Sequence, residues 1–126
     1  MCTRITYLAP DSIVLTARSL DWTVPMNTSL WVLPAGLARD GAAGPDSLRW
    51  TAQYGSLVTV GYEAATIDGF NEHGLLVNVL YLAEADFGTA EDLPGKPTVS
   101  VAGWGQYVLD HYCTVAEAVA GLREEP

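Results

Sequence analysis

Apolar and polar positions change their period once along this chain. Up to Leu82 the repeat is that of strands, and after Thr98 it is that of helices. Cys2 to Leu8 and Ile13 to Leu20 are rich in β-branched residues, and Ala9-Pro10-Asp11-Ser12 between them carries turn chemistry, so the two runs are predicted to form a hairpin. A four-residue loop sets Cys2 opposite Ser19, beside Arg18 and Leu20, and returns Asp21 to the amino terminus. Further strands are predicted at Leu30 to Leu33, Leu48 to Tyr54 and Leu57 to Tyr62, with Gly55 as a bulge or break. Asn71-Glu72-His73-Gly74 has Asn first and Gly fourth, as a type I turn prefers, and joins Thr66 to Phe70 with Leu75 to Leu82. That last run is apolar at nearly every residue, which predicts a central strand covered on both faces.

A polar loop from Ala83 to Thr98, carrying Glu84, Asp86, Glu91 and Asp92, ends the strands. Val101, Trp104, Val108, Leu109 and Tyr112 then recur at helical spacing behind Ser100 as the cap. Thr114-Val115-Ala116-Glu117 reads as a capping box opening a second helix, whose stripe is Val115, Ala118, Val119 and Leu122. Antiparallel strands followed by an antiparallel helix pair give an α+β fold with one sheet covered on one face. So many apolar strands require a second layer on the other face. Residues 1–126 therefore read as one domain that is incomplete, with sheet edges open to a partner or to a homo-oligomer.

Composition narrows the partners. The 126 residues are 49% hydrophobic and 17% charged, which is globular usage. The net charge of −9 repels phosphate backbones and anionic lipid, and the six Lys and Arg residues are scattered, so neither nucleic acid nor a membrane is expected as a partner. No apolar run approaches the length of a membrane span, and the start lacks the regions of a signal peptide. As written the chain reads as cytoplasmic; if Met1 stands in place of a cleaved export signal it is periplasmic. Two cysteines, Cys2 and Cys113, form no disulfide framework, and no Cys or His spacing suggests a metal.

Cys2 carries the candidate chemistry. Removal of Met1 before a small second residue leaves one residue with both a thiol and a free α-amine. An amine with a pKa of about 7.7 to 8.0 has a neutral fraction able to accept the thiol proton. Arg18 beside Cys2 would stabilise the thiolate, and Asp21 would accept a hydrogen bond from the amine and orient its lone pair. On spacing alone the simpler account is preferred: an ordinary early cysteine, and a solvated Arg18–Asp21 pair worth under ~1 kcal/mol.

A wider pattern changes that preference. Met1-Cys2-Thr3-Arg4, Ala17-Arg18-Ser19-Leu20-Asp21-Trp22, the Trp50 to Gly55 segment, Asp68-Gly69-Phe70-Asn71-Glu72-His73-Gly74-Leu75 and Trp104-Gly105-Gln106-Tyr107-Val108-Leu109-Asp110 together resemble the choloylglycine hydrolase family of amino-terminal-nucleophile hydrolases, which contains bile salt hydrolases and penicillin V acylases. The resemblance implies an αββα sandwich, of which this chain would be the amino-terminal part. It implies a cofactor-free amide hydrolase with Cys2 as nucleophile, Arg18 and Asp21 in the site, and a small-molecule amide as substrate. It places Tyr81 as a pocket wall with its backbone N–H in the oxyanion hole, and Trp22 with Tyr81 as an apolar acyl pocket. Asn78 to Glu84 and Leu30-Trp31 are most similar to the penicillin V acylase branch that also cleaves N-acyl homoserine lactones. The family's second oxyanion donor, an Asn, and a further site Arg fall beyond this sequence.

Other residues fit plainer roles. His73 sits in a tight turn, and His111 near a helix end, where a cationic ring would meet the negative end of the dipole. Cys113 reads as a packing residue, and Trp31, Trp50 and Trp104 as core. The acidic loop is a solvated linker that can rim a pocket, and its charge disfavours anionic bile salts. Two alternatives stand beside the acylase: a bile salt hydrolase, and a non-catalytic fragment acting as a binding or assembly module.

Overall fold

The computed structural model describes residues 2–89 and 94–124. Met1, Glu91, Asp92 and Pro126 lie outside the described residues. The described residues fall into two compact units, residues 2–26 with 80–85, and residues 27–79 with 86–89 and 94–124.

The first unit is built on an antiparallel hairpin of β1 (Cys2–Leu8) and β2 (Val14–Leu20). Pro10–Ser12 form a single 3-10 turn, with Asp11 and Ser12 in the left-handed region at φ 60° and 61°. The Ala9 N–H donates to the Ile13 carbonyl at 2.9 Å, so Ile13 closes the loop instead of starting the strand. The loop therefore has one residue more than expected, and the register shifts by one: Cys2 pairs with Leu20, Thr3 with Ser19 and Arg4 with Arg18. The shift matters because side chains alternate between faces. The expected register would have turned Arg18 to the opposite face from Cys2; the observed one places both on the same face.

In the second unit, β3 (Ser29–Leu33), β4 (Ala38–Asp40), β5 (Arg49–Thr51), β6 (Ser56–Gly61), β7 (Ala65–Asn71) and β8 (Leu76–Asn78) make two antiparallel sheets. One has the order β3-β6-β7-β8, and the other is a β4-β5 ribbon. Counting the hairpin, the described residues form three separately paired sheets, where the pattern of strands gave one. The short strand β4 was not anticipated, because Ala38-Arg39-Asp40 shows no apolar alternation. It is held by pairing of Arg39 with Trp50, and by Gly36 N–H to Ala52 O (2.8 Å) and Ala52 N–H to Leu37 O (2.9 Å).

The run from Leu75 is not a central strand. Pairing with β7 ends after Asn78, a last bond joins Val79 N–H to Ile67 O at 2.8 Å, and β8 is the edge of its sheet. Beyond it Leu80 to Leu82 belong to the first unit with their side chains exposed. Trp31 is likewise no core residue: it lies on edge strand β3, 42% exposed, with its Nε1–H donated to Ser29 Oγ.

The core forms where β6 alternates. Ser56, Val58 and Val60 turn inward, and the two valines pack on Leu109 with Leu33 and Val77 at the margin. Burying each such side chain stabilises the fold by about 1.5–3 kcal/mol. Leu109 comes from α1 (Val101–His111), which follows Ser100 as cap residue, although the Ser100 side chain makes no capping bond. Helix α2 (Val115–Gly121) packs Ala118 against Val108 and Leu75. Thr114 Oγ1 accepts the Glu117 N–H, as the capping box requires, while the Glu117 carboxylate reaches one residue further back to the Cys113 N–H.

Two buried polar residues lock these elements together. In the predicted tight turn, Asn71 donates from Nδ2 to the carbonyls of Leu109 and Tyr112 (2.9 and 2.7 Å) and accepts the His73 and Leu75 N–H groups. Asp110, fully buried on α1, accepts from Trp50 Nε1 (2.7 Å), Arg39 Nε (3.1 Å) and Gln106 Nε2 (2.7 Å), which ties the β4-β5 ribbon to the helix. Trp50 and Trp104 pack around Tyr107.

Candidate active site

Every residue singled out for amide chemistry belongs to the first unit: Cys2, Arg18, Asp21, Trp22 and Tyr81. β1 brings Cys2 to the hairpin's open end, opposite Leu20. Alternation along β2 puts Arg18 two residues away on the same face, and Asp21 follows where β2 stops.

The Cys2 thiol is partly exposed, and its pKa lies below the ordinary thiol value of 9.0. The first cause is a hydrogen bond from the Tyr81 backbone N–H; partial desolvation opposes it, and the Asp21 backbone N–H and the positive charge of Arg18 add to the lowering. Each favoured contact stabilises the thiolate over the thiol. Two backbone donors and a guanidinium near the sulfur favour its thiolate form, the form able to attack an electrophilic carbon.

Asp21 is held in turn. Ser19 Oγ donates to Asp21 Oδ2 at 3.0 Å and accepts the Thr3 N–H at 3.3 Å, so one hydroxyl bridges the backbone beside Cys2 to the carboxylate. Ser19 was not among the residues expected in the site. A correct count of the loop would have revealed it, since the observed register sets Ser19 opposite Thr3. Trp22 and Tyr81 meet edge to face with ring centroids 5.1 Å apart, and with exposures of 47% and 58% they form an exposed aromatic pair in the same unit as the thiol.

The histidines and the second cysteine lie in the other unit. His73 packs edge-on against Tyr54. Burial pushes the His111 pKa below its ordinary 6.5, with the Asp110 charge partly opposing, so the expected cationic ring at the helix end is a neutral one at neutral pH. Its Nδ1 lies 2.8 Å from the Tyr107 carbonyl, which can only accept, so Nδ1 carries the hydrogen. Cys113 hydrogen-bonds with Tyr54 and contributes, with burial, to raising the phenol's pKa. Among the described residues no group of three His, Cys, Asp or Glu side chains converges as a metal site, and no helix is long and apolar enough to cross a membrane.

The chain is 46% identical to a penicillin V acylase of Pectobacterium atrosepticum, over 98% of its own length and 35% of that protein. Its fold superposes on the structure of penicillin V acylase from Agrobacterium tumefaciens with a TM-score of 0.90 at 44% identity, covering 100% of this chain and 39% of that one. A mutant conjugated bile acid hydrolase from Clostridium perfringens shares the fold, with a TM-score of 0.72 at 22% identity over 99% of this chain and 38% of that one. The chain thus spans roughly a third of the length of these relatives. The α+β arrangement of antiparallel sheets and two helices is that of the amino-terminal portion of these hydrolases. The family profile described as linear amide C–N hydrolases, choloylglycine hydrolase family, matches residues 2–125, and the chain belongs to that family.

Proposed function

We propose that this chain carries the nucleophile half of an amide hydrolase, with Cys2 as the attacking residue after Met1 is removed. The carrying observation is the Cys2 thiol, which two backbone N–H groups and the charge of Arg18 bias toward thiolate. Cys2 Sγ attacks the substrate's amide carbonyl, and its proton passes to the residue's own α-amine. The C=O electron pair moves to oxygen, and the Tyr81 N–H stabilises the oxyanion. Collapse breaks the C–N bond, with the proton delivered from the α-amine to the leaving nitrogen, and leaves a thioester on Cys2. The amine then activates a water that hydrolyses the thioester. Asp21 orients the amine, and no metal or redox cofactor takes part in these steps.

The substrates proposed are the acyl side chain of penicillin V and N-acyl homoserine lactones. The 46% identity to a penicillin V acylase supports the first. The net charge of −9 favours the uncharged lactone over anionic substrates, bile salts and the carboxylate of penicillin V alike. The exposed aromatic pair Trp22–Tyr81 suits an aryl or alkyl acyl chain. A second reading, a non-catalytic assembly module, is favoured by one observation: Ile5, Leu8, Leu30 and Val32 are each more than half exposed.

The test is to incubate the purified chain with penicillin V, a long-chain acyl homoserine lactone and a glycine-conjugated bile salt, and to measure the released acids by mass spectrometry. Release of phenoxyacetic or fatty acid, lost in Cys2→Ser, is expected. Release of bile acid alone would shift the substrate class, and no release from any of the three would favour the assembly module.

A further inference from the structure

We propose that Ser19 is a positioning residue of the site: its hydroxyl clamps Asp21 to the backbone of β1 immediately after Cys2. The inference rests on the catalytic reading of Cys2 and Asp21 above and adds a residue to it.

The geometry is specific. Ser19 stands opposite Thr3 in the hairpin, and its Oγ does two jobs at once, accepting the Thr3 N–H at 3.3 Å and donating to Asp21 Oδ2 at 3.0 Å. Asp21 lies just past the end of β2, where no strand pairing fixes it. The hydroxyl's bond to Oδ2 restricts the rotation of this exposed carboxylate. The residue matters twice to Cys2, since its backbone N–H faces the sulfur and its carboxylate is proposed to orient the α-amine. A hydroxyl that ties this residue to Thr3 fixes both groups relative to the nucleophile with a single side chain. Other hydroxyl residues can serve if they keep one donor and one acceptor, so threonine should substitute and alanine should not.

The experiment compares Ser19→Ala and Ser19→Thr with the unaltered chain. The first readout is the second-order rate of Cys2 alkylation by iodoacetamide at pH 7, resolved from Cys113 by peptide mapping, which needs no substrate. Ser19→Ala is expected to slow it several-fold, and Ser19→Thr to restore it, with thermal midpoints of all three within about 2 °C. The second readout, hydrolysis of penicillin V, is expected to show a kcat about tenfold lower in Ser19→Ala with KM unchanged. Alkylation of Ser19→Ala at the unaltered rate overturns the proposal, as does a threonine variant no faster than the alanine one. If the unaltered chain hydrolyses nothing, the catalytic reading fails on its own, while the alkylation ratio still decides whether Ser19 positions the groups around the thiol.

Discussion

Replacing Asp110 by alanine should destabilise the chain far more than replacing it by asparagine. Asp110 is fully buried and collects three donors: Arg39 Nε and Trp50 Nε1 on Oδ2, at 3.1 and 2.7 Å, and Gln106 Nε2 on Oδ1 at 2.7 Å. Alanine leaves Trp50 Nε1 and Arg39 Nε without this acceptor, leaves Gln106 Nε2 only its bond to Ser56 Oγ, and strands a guanidinium that is only 18% exposed. Removing one partner of such a pair costs about 3–5 kcal/mol. Asparagine can keep Oδ1 on Arg39 and Trp50 while its Nδ2 faces Gln106. The Gln106 amide then flips, so that Thr66 Oγ1 accepts from its Nε2 and Ser56 Oγ donates to its Oε1, the two hydroxyls exchanging donor and acceptor roles. What remains lost is the charge on the acceptor, about 1–2 kcal/mol. Urea unfolding followed by tryptophan fluorescence measures both. With a slope of about 2 kcal/mol/M, the midpoint should fall by about 2 M for Asp110→Ala and under about 1 M for Asp110→Asn. Equal losses would refute the rotor exchange, and an alanine variant within about 0.5 kcal/mol of the unaltered chain would refute the network itself.

Gly69→Ala should destabilise by about 1–3 kcal/mol in the same assay, because its Cβ would meet Val58 Cγ1 at 2.6 Å and the Leu57 carbonyl at 2.8 Å, forcing β6 and β7 apart. His111 should make stability fall on acidification: its folded pKa is below 6.5, so as pH drops through 6.5 the unfolded chain takes up the proton first. The loss grows until the folded pKa is passed and is flat below it. Melting temperatures of the unaltered chain and His111→Gln from pH 7.5 to 5 should converge toward the acid end if the unaltered chain starts higher, and parallel curves would contradict this. Trp22→Ala should raise KM for penicillin V about tenfold with little change in kcat, since it removes half of the exposed aromatic pair proposed to hold the acyl group; a kcat loss without a KM change would contradict an acyl-binding role.

The elements were legible where local chemistry and side-chain period agree. Cys2–Leu8, the Asn71–Gly74 turn and the Thr114 cap each carry their own turn or capping residues, and they lie where the sequence puts them. Register was less legible because it hangs on one residue. Ile13 is β-branched and looks like strand, yet its carbonyl closes the loop, and that single difference decides whether Arg18 faces Cys2. Sheet membership was least legible. Apolar content alone suggested a central strand at Leu75–Leu82, whereas backbone pairing stops at Asn78 and Tyr81 serves the other unit. The charged β4 and the exposed Trp31 show the same limit from both sides: the first pairs without apolar alternation, and the second is apolar without being buried.

The decisive experiment is to trap the acyl group. The chain, with Met1 removal verified by intact mass, is quenched in acid within seconds of mixing with penicillin V and mapped by peptide mass spectrometry. A phenoxyacetyl increment on the Cys2 peptide, absent from Cys2→Ala and absent from the Cys113 peptide, is the expected result. Turnover that persists in Cys2→Ala, or an acyl group found only on Cys113, would contradict the assignment of Cys2 as nucleophile.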